Sequence, residues 1–273
     1  MKTFRMIGMA LLAVLLSVNL VSCDKDDDGT GGGSGAPTTG STISGRSGKK
    51  LLQVSKSHSK EAASSSLLEF KYDAEGRLVE VVETYRDNGE WRSDKMTYSW
   101  ESNKIASHYE DYEDEYYTYT LVNGKVAKGT FCYMNNEEYA YNYSYDKDGH
   151  IKECYMESEG GKDDPDIYTW NSGRLFSIEG AWGPEKILYE DGTCKGFCPI
   201  LYSLIETVEI DEFIFIAHPE LLGIETSHLP SEYLSERDPK TFEYELNSDG
   251  YVIGCAVDAN LYDSDWYYKF VWE

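Results

Sequence analysis

The chain reads as an all-β protein, a large antiparallel meander of roughly 13–15 strands forming a curled or barrel-like sheet. Three observations carry this. Aromatic residues recur at every second position: Tyr139, Tyr141, Tyr143 and Tyr145 share one side of an extended segment, with Ala140, Asn142 and Ser144 on the other. Polar turns holding Gly or Asn follow the aromatic pairs at positions 76, 103, 124, 149, 173 and 192, spaced 19 to 27 residues apart. Tyr occurs 23 times, and a ring with a wet hydroxyl suits a half-buried strand.

Residues 1–22 have the layout of a secretory signal, with Lys2 and Arg5 ahead of an apolar run over 7–16. That run is too short for a membrane-spanning helix, which needs about 20 apolar residues. Leu20-Val21-Ser22-Cys23 resembles the lipobox of bacterial lipoproteins. The resemblance implies lipid on the Cys23 sulfur, cleavage before Cys23 and acylation of the new amino group; several acyl chains give stable anchoring. Asp24-Lys25-Asp26-Asp27-Asp28 is similar to the acidic export signal of Bacteroidetes-type surface lipoproteins, and is also what a solvated linker looks like. Residues 29–48, rich in Gly, Ser and Thr, cannot bury a core and complete a flexible tether over 23–48. Residues 49–273 are then a single β domain.

Within that domain one hairpin unit repeats: aromatic-x-aromatic, a turn, then an apolar residue. Phe70-Lys71-Tyr72-Asp73-Ala74-Glu75-Gly76-Arg77-Leu78 is the first copy. Tyr98-Ser99-Trp100 leads to Ile105, Tyr117-Thr118-Tyr119 to Val126, Tyr143-Ser144-Tyr145 to Ile151, Tyr168-Thr169-Trp170 to Leu175, and Phe242-Glu243-Tyr244 to Val252. Asn-Gly and Asp-Gly supply the positive φ that tight hairpins need. A second set of turns lies between the first, at Asp87-Asn88-Gly89, 111–115, Asn135-Asn136, Gly160-Gly161 and 180–184. The stretch 199–239 breaks the pattern. It is mostly apolar over 201–216, which suits a short helix, and irregular at His218-Pro219-Glu220 and Leu229-Pro230-Ser231. It reads as an excursion that packs across the sheet or plugs one end of it. The last hairpin, 242–273, closes the fold.

Loss of residues 1–22 leaves 23 Lys and Arg against 49 Asp and Glu, a net charge of −26. Nucleic acid and anionic lipid are repelled by such a surface. Of six Cys, Cys23 is taken by lipid, leaving Cys132, Cys154, Cys194, Cys198 and Cys255. The C-x₃-C pair of Cys194 and Cys198 allows a disulfide outside the inner membrane, or two buried thiols that pack as small apolar residues.

The lipobox, the Tyr-Asp hairpins such as 72–78, and a late block from Leu222-Gly223-Ile224 through Leu229-Pro230-Ser231 to a terminal aromatic strand together resemble the Bacteroidales lipoproteins of domain-of-unknown-function family 4595. The resemblance covers most of 65–273 and implies a porin-like antiparallel β fold. It brings no function, cofactor or active site. The hairpins are less closely similar to the YD repeats of Rhs-type toxins, which use more copies and a tighter consensus. A membrane-embedded barrel is not expected, because charges crowd the strands, as over 110–115, where lipid would require an apolar band.

No G-x-S-x-G, H-E-x-x-H, P-loop or dinucleotide fingerprint is present, and no catalytic, metal or cofactor residues are assigned. His218, Glu220 and His228 form a conceivable metal set, against the simpler reading of loop polar groups. Asp146-Lys147-Asp148-Gly149 has part of a calcium loop but His150 and Met156 where ligands belong, so a hairpin turn is the better account. Asp163-Asp164-Pro165-Asp166 reads as a solvated turn. The Trp residues at 91, 100, 170, 182, 266 and 272 offer either core packing or a sugar-stacking platform. The leading expectation is a non-enzymatic outer-membrane lipoprotein, on the surface or the periplasmic face. It would bind a glycan, peptide or protein through an aromatic face. The alternatives are an accessory component of an outer-membrane complex and a hydrolase using paired carboxylates.

Overall fold

The structure, a computed structural model, describes residues 48–111, 115–133, 137–158, 161–180, 183–204, 212–259 and 265–273. The secretory segment, Cys23 and the tether up to residue 47 lie outside the described residues, as does Trp182. The strands are β1 (Leu51–Ser57), β2 (Ser66–Tyr72), β3 (Leu78–Asp87), β4 (Glu90–Trp100), β5 (Lys104–Tyr109), β6 (Tyr116–Val122), β7 (Lys125–Tyr133), β8 (Glu137–Tyr145) and β9 (Ile151–Ser158). There follow β10 (Gly161–Lys162), β11 (Asp166–Asn171), β12 (Arg174–Gly180), β13 (Gly183–Thr193), β14 (His228–Leu234), β15 (Lys240–Leu246), β16 (Val252–Ala259) and β17 (Trp266–Trp272). Between β13 and β14 lie two 3₁₀ turns, Leu201–Leu204 and Pro219–Leu221, and one helix, α1 (Glu212–Ala217).

Every pairing is antiparallel, and nearly all join neighbours in sequence. The two-residue β10 only extends β9, which pairs with β11 directly. Because β1 lies between β2 and β17, the other 16 strands close into a barrel with no free edge. The expected all-β meander is therefore present, with more strands than the repeat alone suggests. The repeat understates β1, whose segment carries no aromatic pair, and β14, which runs through Leu229-Pro230-Ser231. Pro230 is tolerated in a strand because it sits at a break in the β13–β14 register, opposite Tyr189.

Closure turns the aromatic side of the sheet into a core. Phe70, Val81 and Met96 stand in one cross-strand row, and Tyr98, Ser107 and Tyr117 in another. The apolar residues that follow the turns form the deepest layer: Leu78, Ile105, Val126, Ile151, Leu175 and Val252 are 0% exposed. Fully burying each contributes about 1.5–3 kcal/mol. The outer face carries charge within the strands, at Lys186, Glu232, Glu243 and Lys269, beside exposed apolar side chains at Phe176, Leu188, Ile253 and Val271. These charges interrupt the continuous apolar band that a lipid-facing wall needs. The acidic run 110–115 belongs to the β5–β6 connection, with 112–114 outside the described residues, so the mid-strand charges carry that argument instead.

Three turns at one end share one construction. The side-chain Oδ1 of Asp73, Asp146 and Asn247 accepts from the backbone N–H groups two and four residues on. Gly76, Gly149 and Gly250, at φ of 84°, 85° and 90°, complete the turns. Asp146 thus commits its carboxylate to Asp148 and His150 N–H groups, which is the hairpin turn expected over 146–149.

The same end is tied by five aromatic clasps. Tyr72 Oη donates to Leu51 O (2.8 Å), Trp100 Nε1 to Leu78 O (2.7 Å), Tyr145 Oη to Val126 O (2.6 Å), Trp170 Nε1 to Ile151 O (2.7 Å) and Trp272 Nε1 to Val252 O (2.6 Å). In four of them the residue before the carbonyl lies against the same ring. Lys50 and Lys125 sit over Tyr72 and Tyr145, His150 stacks on Trp170 at 4.5 Å, and Tyr251 leans on Trp272.

The excursion after β13 plugs this end. Its two legs bond to each other through Cys194 N–H to Ser227 O and Cys198 N–H to Thr226 O. It docks on the clasped rim: His218 Nε2 accepts from Leu78 N–H (3.2 Å), Lys125 Nζ donates to Glu220 O (3.0 Å), and Thr226 Oγ1 donates to Gly173 O (2.8 Å). Phe215 of α1 enters the core edge-on to Tyr119 at 5.4 Å. Gly223, at φ 62°, lies so close to the 149–150 backbone that a Cβ would fall on Gly149 O.

Two predictions follow from this end. Gly223→Ala should destabilise the fold by about 2–4 kcal/mol in chemical denaturation. Gly124→Ala, also at positive φ but with open space around it, should cost only about 1 kcal/mol. Burial raises the Asp73 and Asp146 carboxyls, but the N–H and side-chain bonds from Arg77 and His150 outweigh it, so both titrate below the usual value. A lowered folded pKa gives stability that is present above the unfolded value of about 3.9 and lost as pH falls through the folded one. The double variant Asp73→Asn and Asp146→Asn keeps the acceptor, as Asn247 does. It should show a shallower loss of stability between about pH 5 and pH 2.

Candidate functional site

Exposure grades along the inner wall. On β3 it rises from Leu78 and Val81, 0% and 1% exposed, to half-buried Glu83 and Tyr85; on β6 it rises from Tyr119 at 0% to half-buried Tyr117. Solvent therefore reaches part of the inner wall at the end opposite the plug, where Asp94 and Tyr139 stay buried. This mouth is the candidate site.

Its most developed feature lies where β1 meets β17. Lys56 and Tyr268 are register partners on the inner wall. Lys56 Nζ stands 3.8 Å from the centroid of Trp266 and 5.7 Å from that of Tyr268. His58, exposed just past the end of β1, stacks on Trp266 at 4.3 Å and 28°. Ser57 holds the chain here, donating from Oγ to Ser59 O at 2.7 Å. The Trp266 indole N–H is buried with no hydrogen-bond partner among the described residues. Elsewhere on the inner wall Tyr117 and Phe131 stack at 4.5 Å. Glu83 and Asp94 face each other across β3 and β4. Planar rings beside ammonium and carboxylate groups suit a ligand with flat or sugar-like faces and polar substituents.

The sequence candidates distribute as follows. Trp100, Trp170 and Trp272 serve the clasps, Trp91 is exposed beside the β3–β4 turn at the mouth, and among the described Trp residues Trp266 is the one on the inner wall there. His218 and Glu220 do meet, Nδ1 to Oε1 at 2.7 Å, but His228 does not join them; it pairs with Thr193 beside Tyr189. His218 also accepts from Leu78 N–H, so both ring nitrogens are used in holding the plug. Among the described residues no three His, Cys, Asp or Glu side chains are grouped for a metal ion. Cys194 and Cys198 are buried thiols rather than a bridge, and Cys198 Sγ lies 3.8 Å from Tyr244 Oη. Burial pushes the Cys198 thiol up to about 12, which suppresses its thiolate. The aromatic face expected to meet ligand is turned inward and mostly buried, because closure makes it the core. Lys56 and His58 escaped sequence reasoning, having no aromatic pair or turn beside them.

No protein-family model matches the chain, and no curated protein matches it. Its fold is similar to solved structures. One is a porin-like protein from Bacteroides uniformis ATCC 8492, with TM-score 0.64 and 14% identity, covering 82% of this chain and 98% of that one. Another is a porin-like protein from Bacteroides vulgatus ATCC 8482, with TM-score 0.56 and 14% identity, covering 83% and 99%. At this identity the likeness establishes the β-barrel fold.

An aromatic disulfide reagent should label none of the five body thiols in the native protein and all five in guanidinium. Peptide mapping without reductant should recover the Cys194 and Cys198 peptides unbridged.

Proposed function

We propose that the chain is a lipid-anchored envelope protein, held through Cys23, whose barrel binds a glycan, peptide or protein segment at the mouth opposite the plug. The observation that carries this is the Lys56, His58, Trp266 and Tyr268 cluster, a ring platform with adjacent charge where solvent enters. Lipid attachment rests on Leu20-Val21-Ser22-Cys23, and an outer-membrane position rests on the acidic run that follows it. Similarity to two porin-like Bacteroides proteins agrees with an envelope protein. The charged outer wall argues for a barrel that stands beside a membrane rather than through it. Membership of domain-of-unknown-function family 4595 belongs to the same proposal and rests on the hairpin motifs.

The test is a glycan and mucin-peptide array with soluble residues 49–273. Binding should weaken by about 2- to 12-fold in Trp266→Ala, since aromatic stacking is worth about 0.5–1.5 kcal/mol, with the circular dichroism spectrum unchanged. Binding to no array member at high concentration would count against the proposal. Hydrolysis is the second reading, and Glu83 with Asp94 is the pair that favours it. Cleavage of an array glycan that disappears in Asp94→Asn would establish it.

A further inference from the structure

The barrel has two unlike ends. At the plugged end the chain enters through Lys49, whose N–H donates to Tyr251 Oη at 3.3 Å and whose ammonium pairs with Asp249 at 3.1 Å. Glu273 N–H donates to Lys50 O at 2.9 Å, so the first and last described segments are fastened to the same rim. Residues 24–48 lead from there to Cys23, with an r.m.s. span of roughly 25–30 Å.

Charge divides along the same axis. At the plugged end, the described residues of 48–50, 73–77, 101–104, 122–125, 146–150, 171–174, 190–196, 218–226, 247–251 and 273 hold 11 Asp and Glu against 8 Lys and Arg. At the mouth, those of 58–65, 86–92, 110–115, 157–166, 179–185, 235–240 and 258–265 hold 16 against 6. The net charges are −3 and −10. Strands of about seven residues separate the ends by about 20–25 Å. The Debye length in physiological salt is about 8 Å, so each end meets a charged surface on its own account.

We propose that the plugged end is the surface that faces the bilayer, and that the tether and the charge asymmetry together hold the acidic mouth away from it. This rests on lipid attachment at Cys23. The partner is an anionic bilayer surface. The plugged rim, at −3 despite Lys49, Lys50, Arg77, Lys125, Lys147 and Lys195, is repelled far less than the mouth, which at −10 holds nearly three times as many acids as bases. Attachment at Cys23 alone does not fix the barrel's pose; the charge difference selects one and leaves the mouth open to ligands arriving from the side away from the membrane.

The test uses the full lipidated chain in vesicles containing anionic phospholipid and an acceptor dye on the headgroups. A donor dye is placed on Glu75→Cys at the plugged end or Glu90→Cys at the mouth, both exposed; the five body thiols are buried and stay unlabelled. Energy transfer should be at least about twofold higher from position 75 in low salt. The difference should shrink in about 1 M salt, where the Debye length is about 3 Å. Equal transfer from both positions, or more from position 90, overturns the proposal. Flotation of Cys23→Ala with the vesicles would instead overturn lipid attachment. The same donor pair on a chain anchored to nickel-chelating lipid by a hexahistidine tag replacing residues 1–23 then decides the orientation independently.

Discussion

The fold depends on how one end of the barrel disposes of its backbone carbonyls. Where the strands begin, the carbonyls of Leu51, Leu78, Val126, Ile151 and Val252 are covered by the plug and by neighbouring rings, and each accepts from a Tyr hydroxyl or Trp indole. Each such bond is worth about 1 kcal/mol net, while leaving a buried carbonyl without a partner costs about 1–3 kcal/mol. The same side chains then seat the plug. Tyr145 donates to Val126 O at 2.6 Å with its oxygen 3.2 Å from Leu221 O, and Lys125 lies over the Tyr145 ring while donating to Glu220 O. Burial holds the Lys125 ammonium below its usual pKa, and Glu220 and Glu225 offset part of that. Rim and plug are one hydrogen-bonded unit.

Much of this was legible in the amino-acid order. The alternation over 139–145, the turns at 76, 149 and 250, and the apolar residues just after them each correspond to a strand, a turn or a buried position. The plug was legible as an interruption, because a mostly apolar stretch without two-residue periodicity has to be buried somewhere other than in the sheet. The clasps were not legible. Trp100 and Leu78 are 22 residues apart and meet only because antiparallel neighbours bring the end of one strand beside the start of the other. The mouth was hardest to see: Lys56 and His58 occupy an unremarkable polar segment, and only the pairing of β1 with β17 carries them to Trp266. A binding surface assembled across the seam of a ring leaves no local motif.

A barrel of this topology serves different ends depending on which side of the wall is apolar. Here most aromatics and aliphatics point inward, and the outward face mixes charges such as Glu243 and Lys269 with single apolar residues such as Phe176 and Val271, without the continuous band a lipid-facing wall needs. Similarity of strand arrangement to porin-like proteins therefore describes architecture, while the side chains on each face decide the solvent the wall can tolerate.

The seam between β1 and β17 also has a kinetic side. Its partners, such as Val54 and Phe270, are separated by more than 200 residues, whereas nearly every other ladder joins adjacent hairpins. Hairpins can form early from local contacts, but the loop-closing step waits until the final strand is available. The ring therefore stays an open ribbon of hairpins until β17 pairs with β1, and closes into a cylinder in that last step.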